Sequence, residues 1–283
     1  MIKIITDSTC DLPDEIIAQY GIMVVPSYII WGNEQYLDRV SLTPEQFYDR
    51  IKSDPVHPTT SQPTLADFLF AYDQAVKQGA EEIICITVSS AMSGTYMMAV
   101  NAGKFAKVPV FVVDSKGPTM MLGWQVLNAA RAVVAGKNSA EVLAEVEKVR
   151  QSIVLLVGME TLSFLDKGGR IGDAVMWLGN ILAVKPLVQI NRDSGKVVPI
   201  ALARTHKSMV EGLYNRFVES LQNASNFHIA ILHGNALVEA QKLAERILSD
   251  LHPVELIINI TGPILGINTG PGALALCGYG DDL

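Results

Sequence analysis

Residues 82–113, EIICITVSSAMSGTYMMAVNAGKFAKVPVFVV, decide the fold class of this chain. An apolar run at 82–87 is followed by a loop of small hydroxyl residues, a helical stretch and a second apolar run at 109–113. Two short apolar strands joined by a helix form a crossover unit, and such units build parallel sheets. The segment therefore predicts an α/β fold that contains a parallel sheet.

The same alternation extends over the first half of the chain. Further strands are predicted at 2–6 and 153–157. The stretch 22–37, which turns at Gly32-Asn33, interrupts the alternation and predicts antiparallel strands at a sheet edge.

The second half begins with a different pattern. Apolar runs at 186–190 and 197–201 flank the turn sequence Arg192-Asp193-Ser194-Gly195, which predicts an antiparallel pair of strands. We therefore expect two α/β domains, residues 1–158 with a parallel sheet and residues 159–283 with a mixed sheet. A ligand is expected in the cleft between the two lobes, because pockets favour such seams.

The composition limits the classes of partner. Apolar residues make up 49% of the 283 residues and charged residues 18%, an apolar surplus that fits an internal cavity, a large core or a dimer face. The net charge of -7, without a basic run, argues against a nucleic-acid partner. The sequence has no signal-peptide pattern, no apolar stretch of the ~20 residues that cross a bilayer, and three scattered cysteines. We expect a cytoplasmic protein without a membrane span.

Conventional catalytic and metal-binding patterns are absent from the sequence. It contains no G-x-S-x-G elbow, and none of its five histidines has a neighbour at metal-ligand spacing. The glycine-rich stretch 262–272 has neither the lysine of a P-loop nor the G-x-G-x-x-G spacing of a dinucleotide site. We therefore expect no metal and no cofactor.

Small polar residues follow the predicted strands in several loops. The hydroxyls of Thr59-Thr60-Ser61 precede a helix that Pro63 would begin, and Ser89–Thr95 combines hydroxyls with free amides at a strand-to-helix turn. Such groups can bind an oxyanion, and helix capping is the structural alternative. Arg170 follows a glycine pair, where it can face an anion or solvent.

In this order, the loops resemble those of the DegV family, which includes fatty-acid-binding subunits of bacterial fatty acid kinase. The resemblance spans essentially the whole chain. It is carried by Thr6-Asp7-Ser8-Thr9, Thr60-Ser61-Gln62-Pro63, Ser93-Gly94-Thr95, Asp114-Ser115, Gly168-Gly169-Arg170-Ile171, His233-Gly234 and Thr269-Gly270-Pro271-Gly272. It implies a lipid-binding subunit, without catalysis of its own, that presents the carboxylate of a long-chain fatty acid to a separate ATP-dependent kinase. The acyl phosphate made there would serve phospholipid synthesis.

The resemblance also implies the site. Its expected ligand-binding residues are Thr60, Ser61, Ser93, Gly94, Thr95, Asn268 and Thr269. Residues expected to contact the kinase or its phosphate are Arg170, Arg204 and Lys207. Relatives often carry histidine where this chain has Asn268, so we expect lipid binding to persist, with altered head-group geometry or altered phosphoryl transfer.

Several alternatives remain open at this point. Pocket walls, or ordinary core, are expected at Met97, Met98, Met120, Met121, Met176 and Trp177. The rival function is a serine-dependent hydrolase or phosphotransferase that uses Ser93 in the interdomain cleft, although the sequence identifies no base for it. A sensor of lipid state is a third candidate.

Overall fold

A computed structural model describes residues 1–177, 184–221 and 224–281 of the protein. Its helices and strands follow in the order β1 (Ile2–Asp7), α1 (Asp14–Tyr20), β2 (Met23–Val25), β3 (Tyr28–Trp31), β4 (Glu34–Leu37), α2 (Pro44–Ile51), β5 (Thr59–Ser61), α3 (Leu65–Lys77), β6 (Glu82–Thr87), α4 (Thr95–Gly103), β7 (Val110–Asp114), α5 (Met120–Val134), α6 (Ser139–Ser152), β8 (Val154–Gly158), α7 (Ser163–Lys167), β9 (Lys185–Ile190), β10 (Val197–Ala203), α8 (His206–Ser220), β11 (Phe227–His233), α9 (Leu237–Leu251), β12 (Glu255–Ile260), α10 (Pro263–Thr269) and β13 (Leu274–Gly280).

The first sheet has the order β2-β1-β6-β7, and all its neighbouring strands are parallel. The segment 82–113 forms the predicted crossover, with α4 between β6 and β7. In a parallel sheet all strands end at the same edge, so the loops that follow β1, β6 and β7 lie together. This edge carries three of the seven sequence motifs, Thr6-Asp7-Ser8-Thr9, Ser93-Gly94-Thr95 and Asp114-Ser115.

A small antiparallel sheet, β4-β3-β5, lies beside the first. The predicted hairpin is confirmed as β3 and β4. The segment with Thr60 and Ser61 was expected to be a loop, and that expectation is wrong, because both residues pair with β3 as strand β5. A short edge strand of polar residues has the composition of a loop. It is recognised as a strand by its pairing with β3, which the local sequence does not reveal.

The second sheet is mixed, with the order β10-β9-β8-β13-β11-β12. The predicted antiparallel pair is confirmed as β9 and β10. The strand predicted at 153–157 exists as β8, but it pairs with β9 and β13 in this sheet and not with the parallel strands. The division into domains at 158/159 stays a prediction.

The two sheets share a core. Helix α5 packs against α6 and contacts strands of both sheets. One apolar cluster joins Ile84 of β6, Trp124 of α5 and Leu155 of β8. Because α5 is covered on several sides, its apolar residues surround it instead of forming one stripe. Within the described ranges, no helix has the length and hydropathy needed to cross a bilayer.

The glycine-rich stretch 262–272 is not entirely a loop, because it contains helix α10. Pro263 occupies the first turn of this helix, and Gly270, with φ of 77°, ends it. Gly266 faces α2, where a Cβ atom would lie 2.8 Å from the Tyr48 hydroxyl. The glycine therefore allows α10 to lie close against the first lobe.

Candidate functional site

A cavity lies between the carboxyl edge of the parallel sheet and one face of the mixed sheet. Its empty volume is about 1020 Å³, including the space at its open mouth. One wall is aliphatic and consists of Leu155, Val157, Met159, Val188, Ile190, Val197, Leu232, Ala273, Leu274 and Ala275.

The aliphatic wall follows from strand alternation. Leu155 and Val157 point to the same face of β8, because alternate side chains of a strand share a face. Val157 pairs with Ala275 on one side and Val188 on the other. The small alanine leaves room that a larger side chain would fill.

Hydroxyl and amide side chains line the same cavity. β5 and the residue after it contribute Thr60, Ser61 and Gln62, while Ser93 and Thr95 lie at the start of α4. Helix α10 contributes Asn268 and Thr269. The structure thus brings six of the seven predicted ligand-binding residues to one cavity, and the seventh, Gly94, lies between Ser93 and Thr95. Their role in binding stays a prediction.

The hydroxyls of the loop between β6 and α4 serve different purposes. The Ser89 hydroxyl donates to the Gly195 carbonyl at 2.9 Å and so links this loop to the β9–β10 turn. The Ser90 hydroxyl donates to Asp114. Ser93 Oγ lies 2.8 Å from Thr95 Oγ1, and these two residues line the cavity. Ser89 and Ser90 therefore stabilise the loop, and Ser93 and Thr95 are available to a ligand.

The loop after β1 fits the capping interpretation. The Asp7 carboxylate accepts the Thr9 N–H at 3.0 Å and the Val88 N–H at 2.8 Å, which joins the ends of β1 and β6. Burial raises the pKa of Asp7, although hydrogen bonds from Thr9 and Val88 oppose the shift. Thr9 also lines the cavity.

Asn268 is held by its own helix. Its Nδ2 donates to the Ile264 carbonyl at 2.8 Å, and its Oδ1 is buried without a partner among the described residues. A Cβ atom at Gly168 would overlap Asn268 Oδ1. The glycine pair before Arg170 therefore permits the loop after α7 to pass close to α10.

The three predicted cationic residues occupy different places. Arg170 is exposed and lines the cavity, with Nε donating to the Met92 carbonyl at 3.2 Å. Arg204 and Lys207 are exposed near the start of α8 and do not line the cavity. The roles of all three residues stay predictions.

Of the two alternatives for the six suggested residues, the pocket wall is wrong for all of them, and ordinary core is confirmed for Met120 and Met121. None of the six suggested residues lines the cavity. Met120 and Met121 are fully buried in the core, while Met97 and Met176 are exposed. Met92 and Met159 are the methionines that line the cavity, and sequence reasoning missed them together with the alternating residues of β8.

Two other kinds of site, a metal site and a serine nucleophile, were compared with the described part of the chain. No group of three or more histidine, cysteine, aspartate or glutamate residues there could hold a metal ion. In the same residues, the hydrogen bonds of the Ser93 hydroxyl go to Thr95 and not to a base. A serine nucleophile needs such a base.

The fold and the cavity define a two-lobed α/β protein with a largely aliphatic cavity between its sheets. A family model described as an uncharacterised protein of the DegV family matches residues 1–280. The chain belongs to the DegV family, which confirms the resemblance seen in the sequence.

Known proteins resemble the chain over its full length. A DegV domain-containing protein of Halalkalibacterium halodurans is 32% identical over 279 residues, which cover 98% of both chains. A Thermus thermophilus DegV family protein, described for its fatty acid binding, has 30% identity, a TM-score of 0.92 and 99% coverage of both chains. Bacillus subtilis DegV, described as a fatty acid binding protein, has 27% identity, a TM-score of 0.91 and 99% coverage of both chains.

Proposed function

We propose that this chain binds a long-chain fatty acid, with the acyl chain against the aliphatic wall and the carboxylate among the hydroxyl residues. The observation that carries the proposal is one cavity lined both by the aliphatic face of the mixed sheet and by Ser61, Ser93 and Thr95. The fatty acid binding described for the Thermus thermophilus and Bacillus subtilis proteins supports it.

The two parts of the cavity would contribute unequally to affinity. Burying about fourteen methylenes at ~0.8 kcal/mol each offers on the order of 11 kcal/mol before the costs of binding. Each hydrogen bond to a charged head group adds roughly 1.5–3 kcal/mol. Chain burial would therefore dominate affinity, and the hydroxyl residues would fix which end of the acid faces out.

The direct test is denaturing extraction of the freshly purified protein, with mass spectrometry of the released small molecules. We expect near-stoichiometric release of an acid of about 14 to 18 carbons, the size range that the burial estimate assumes. A protein that is empty and takes up neither palmitate nor oleate would contradict the proposal. The Ser61→Ala/Ser93→Ala double variant should release less acid than the wild type.

We further propose that a separate ATP-dependent kinase in the cytoplasm phosphorylates the bound carboxylate, and that the acyl phosphate serves phospholipid synthesis. This chain would contribute no catalysis. The exposed Arg170 at the cavity supports the proposal, because its guanidinium suits a phosphate partner. Arg204 and Lys207 would extend the kinase contact along α8.

The kinase step has its own test. Palmitate-loaded protein is mixed with a candidate kinase and ATP, and the acyl phosphate is trapped with hydroxylamine. Arg170→Gln should reduce product formation while the protein keeps its palmitate; unchanged product would contradict this role. Hydrolysis of acyl esters by the protein alone, abolished by Ser93→Ala, would contradict the non-catalytic part of the proposal and favour the hydrolase.

A further inference from the structure

Two buried carboxyl groups of the first lobe meet the beginning of α10. The Asp11 side chain is fully buried, and its Oδ1 accepts the Gly262 N–H at 2.9 Å. Its Oδ2 accepts the Thr119 hydroxyl at 2.8 Å, and its backbone carbonyl accepts Asn259 Nδ2 at 2.8 Å. Asp11 therefore ties the turn between β12 and α10 to the first lobe.

Asp38 lies beside the same turn. A Cβ atom at Gly262 would lie 3.2 Å from Asp11 Oδ1 and 3.6 Å from Asp38 Oδ1, so both carboxyl groups face one short piece of backbone. Asp38 is 1% exposed, and among the described residues neither of its oxygens has a hydrogen-bond partner. Two carboxyl groups in one dry site cannot both ionise without a large cost.

Arg39 is the cation that can offset the negative charge of these two buried carboxyl groups. Arg39 approaches Asp11 at 3.4 Å and Asp14 at the same distance. The titratable groups that act electrostatically on Asp11, Asp38 or their Arg39 partner are Asp7, Cys10, Asp14 and Tyr48. Asp11 and Arg39 adopt φ of 48° and 61°, in the left-handed region that strains a non-glycine residue. The carboxyl groups named here therefore share one cation, Arg39, in a strained backbone arrangement.

Burial dominates the ionisation of both groups. It raises the pKa of Asp11 to about 6, against opposing effects of Arg39, Gly262 and Thr119. Burial and the charge of Asp11 raise the pKa of Asp38 to about 7. The nearby Ser8 hydroxyl and Ile264 N–H, which form no hydrogen bond with Asp38 by distance and angle, and the charge of Arg39 oppose this shift. Asp11 accepts hydrogen bonds on both oxygens, which stabilises its ionised form. Asp38 has no such partner among the described residues, so it is the group of the pair that holds the proton.

We propose that Asp11 and Asp38 form a proton-operated latch, in which a proton on the pair keeps α10 docked and its loss loosens α10. The latch deepens the proposed function and rests on it, because α10 carries Ile264, Leu265, Asn268 and Thr269 of the cavity lining. A second negative charge beside Gly262 would repel Asp11 and draw Asp38 towards water. Both residues are positioning residues, since they act through α10.

The test measures release of radiolabelled palmitate from loaded protein to excess serum albumin as a function of pH. In the wild type, the release rate should rise roughly three- to tenfold between about pH 6 and about pH 8, as the pair loses its proton. In Asp38→Asn, which has nearly the same shape and stays neutral, the rate should stay flat and low. Asp49→Asn, an exposed aspartate of α2, should keep the wild-type profile. Ionisation of palmitate itself affects all three proteins equally, so it does not contribute to the differences between their pH profiles.

Two outcomes would overturn the latch: an equal rise in Asp38→Asn and the wild type, or no rise in the wild type. If Asp38→Asn does not fold, Arg39→Gln replaces it. Removal of that cation should move the midpoint of the release profile to higher pH, and an unmoved midpoint would also overturn the latch.

A protein that takes up no palmitate at any pH would instead refute the proposed function. The latch would then be judged by whether the melting temperature of the wild type falls over this pH range relative to Asp38→Asn.

Discussion

The side chain of Gln62 lies directly against Gly94. A Cβ atom at position 94 would overlap Gln62 Oε1 and lie 2.8 Å from Gln62 Nε2. The φ of Gly94 is -75°, which any residue can adopt. A methyl group at position 94 would therefore displace the end of the flexible Gln62 side chain, which also lines the cavity, whereas the backbone conformation of Gly94 does not require glycine.

Gly94→Ala should consequently disturb the cavity more than the fold. The added methyl displaces the Gln62 amide, which lines the cavity together with Ser61 and Ser93, so palmitate affinity should fall by up to about tenfold, the equivalent of one hydrogen bond to a charged group. Isothermal titration of delipidated protein measures the change. Gly103→Ala, at the other end of α4, is the control, because its Cβ would meet Val110 at an ordinary 3.5 Å. Equal affinities of the two variants would show that this loop contact does not matter for binding.

Asn268 and Ser93 should differ in their effect on binding. The Asn268 amide already donates to Ile264, whereas the Ser93 hydroxyl, within the described ranges, has hydrogen bonds with Thr95 alone. Ser93→Ala should weaken palmitate binding by roughly tenfold, and Asn268→Ala by less than about threefold. Competition against a fluorescent fatty acid measures both. A larger loss in Asn268→Ala would mean that the amide turns towards the head group and contacts it directly.

The sequence predicted what depends on local patterns. Gly32-Asn33 turns the β3–β4 hairpin, and Arg192-Asp193-Ser194-Gly195 lies in the turn of the β9–β10 pair, because both effects act within a few residues. The polar end of the cavity was predicted from the resemblance, since the motifs with Ser61, Ser93 and Thr269 lie in a fixed order along the chain.

What the sequence could not provide depends on contacts between distant residues. The strand β8 belongs to the mixed sheet because it pairs with β13, more than a hundred residues later. The lining role of Ala275 depends on its pairing opposite Val157, and the methionine-rich stretch at 120–121 faces the core because α5 is covered by both sheets. The contact of Asp38 with the α10 turn has no local signal, because Asp38 follows a short edge strand in another part of the chain.

Ala275 is expected to influence the chain length that the cavity accepts. Ala275→Leu extends a side chain into the open cavity, so it should favour acids with fewer carbons and leave the stability of the empty protein nearly unchanged. Cys277→Leu is the matched control, because Cys277 lies on the same strand, is fully buried and does not line the cavity. It should destabilise the protein by roughly 1–3 kcal/mol through overpacking, without changing chain-length preference.

The measurement is competition among saturated acids of different lengths, analysed by mass spectrometry of the bound fraction, together with thermal unfolding of the empty variants. If Ala275→Leu kept the wild-type preference, the acyl chain would have to follow another part of the cavity.

Glu255 joins α5 to the edge of the mixed sheet. Its two oxygens accept Arg131 NH1 at 2.9 Å and NH2 at 2.7 Å, and His228 Nδ1 lies 3.0 Å from Oε2. Burial opposes ionisation of Glu255, but the hydrogen bonds from His228 and Arg131 outweigh it and lower the pKa to about 2. A carboxylate with a lowered pKa adds stability above its unfolded pKa and loses it as the pH falls.

Glu255→Gln should therefore lower the free energy of unfolding by about 2–3 kcal/mol at neutral pH. The difference from the wild type should shrink as the pH falls from about 4.5 towards about 2, the interval between the unfolded and folded pKa values. Urea unfolding at a series of pH values measures it. Glu211→Gln removes a more exposed arginine pair, with Arg246, and should cost less than about 1 kcal/mol. A constant difference between Glu255→Gln and the wild type across this pH range would show that the glutamine is destabilising for its shape or lost packing, and not for the lost charge.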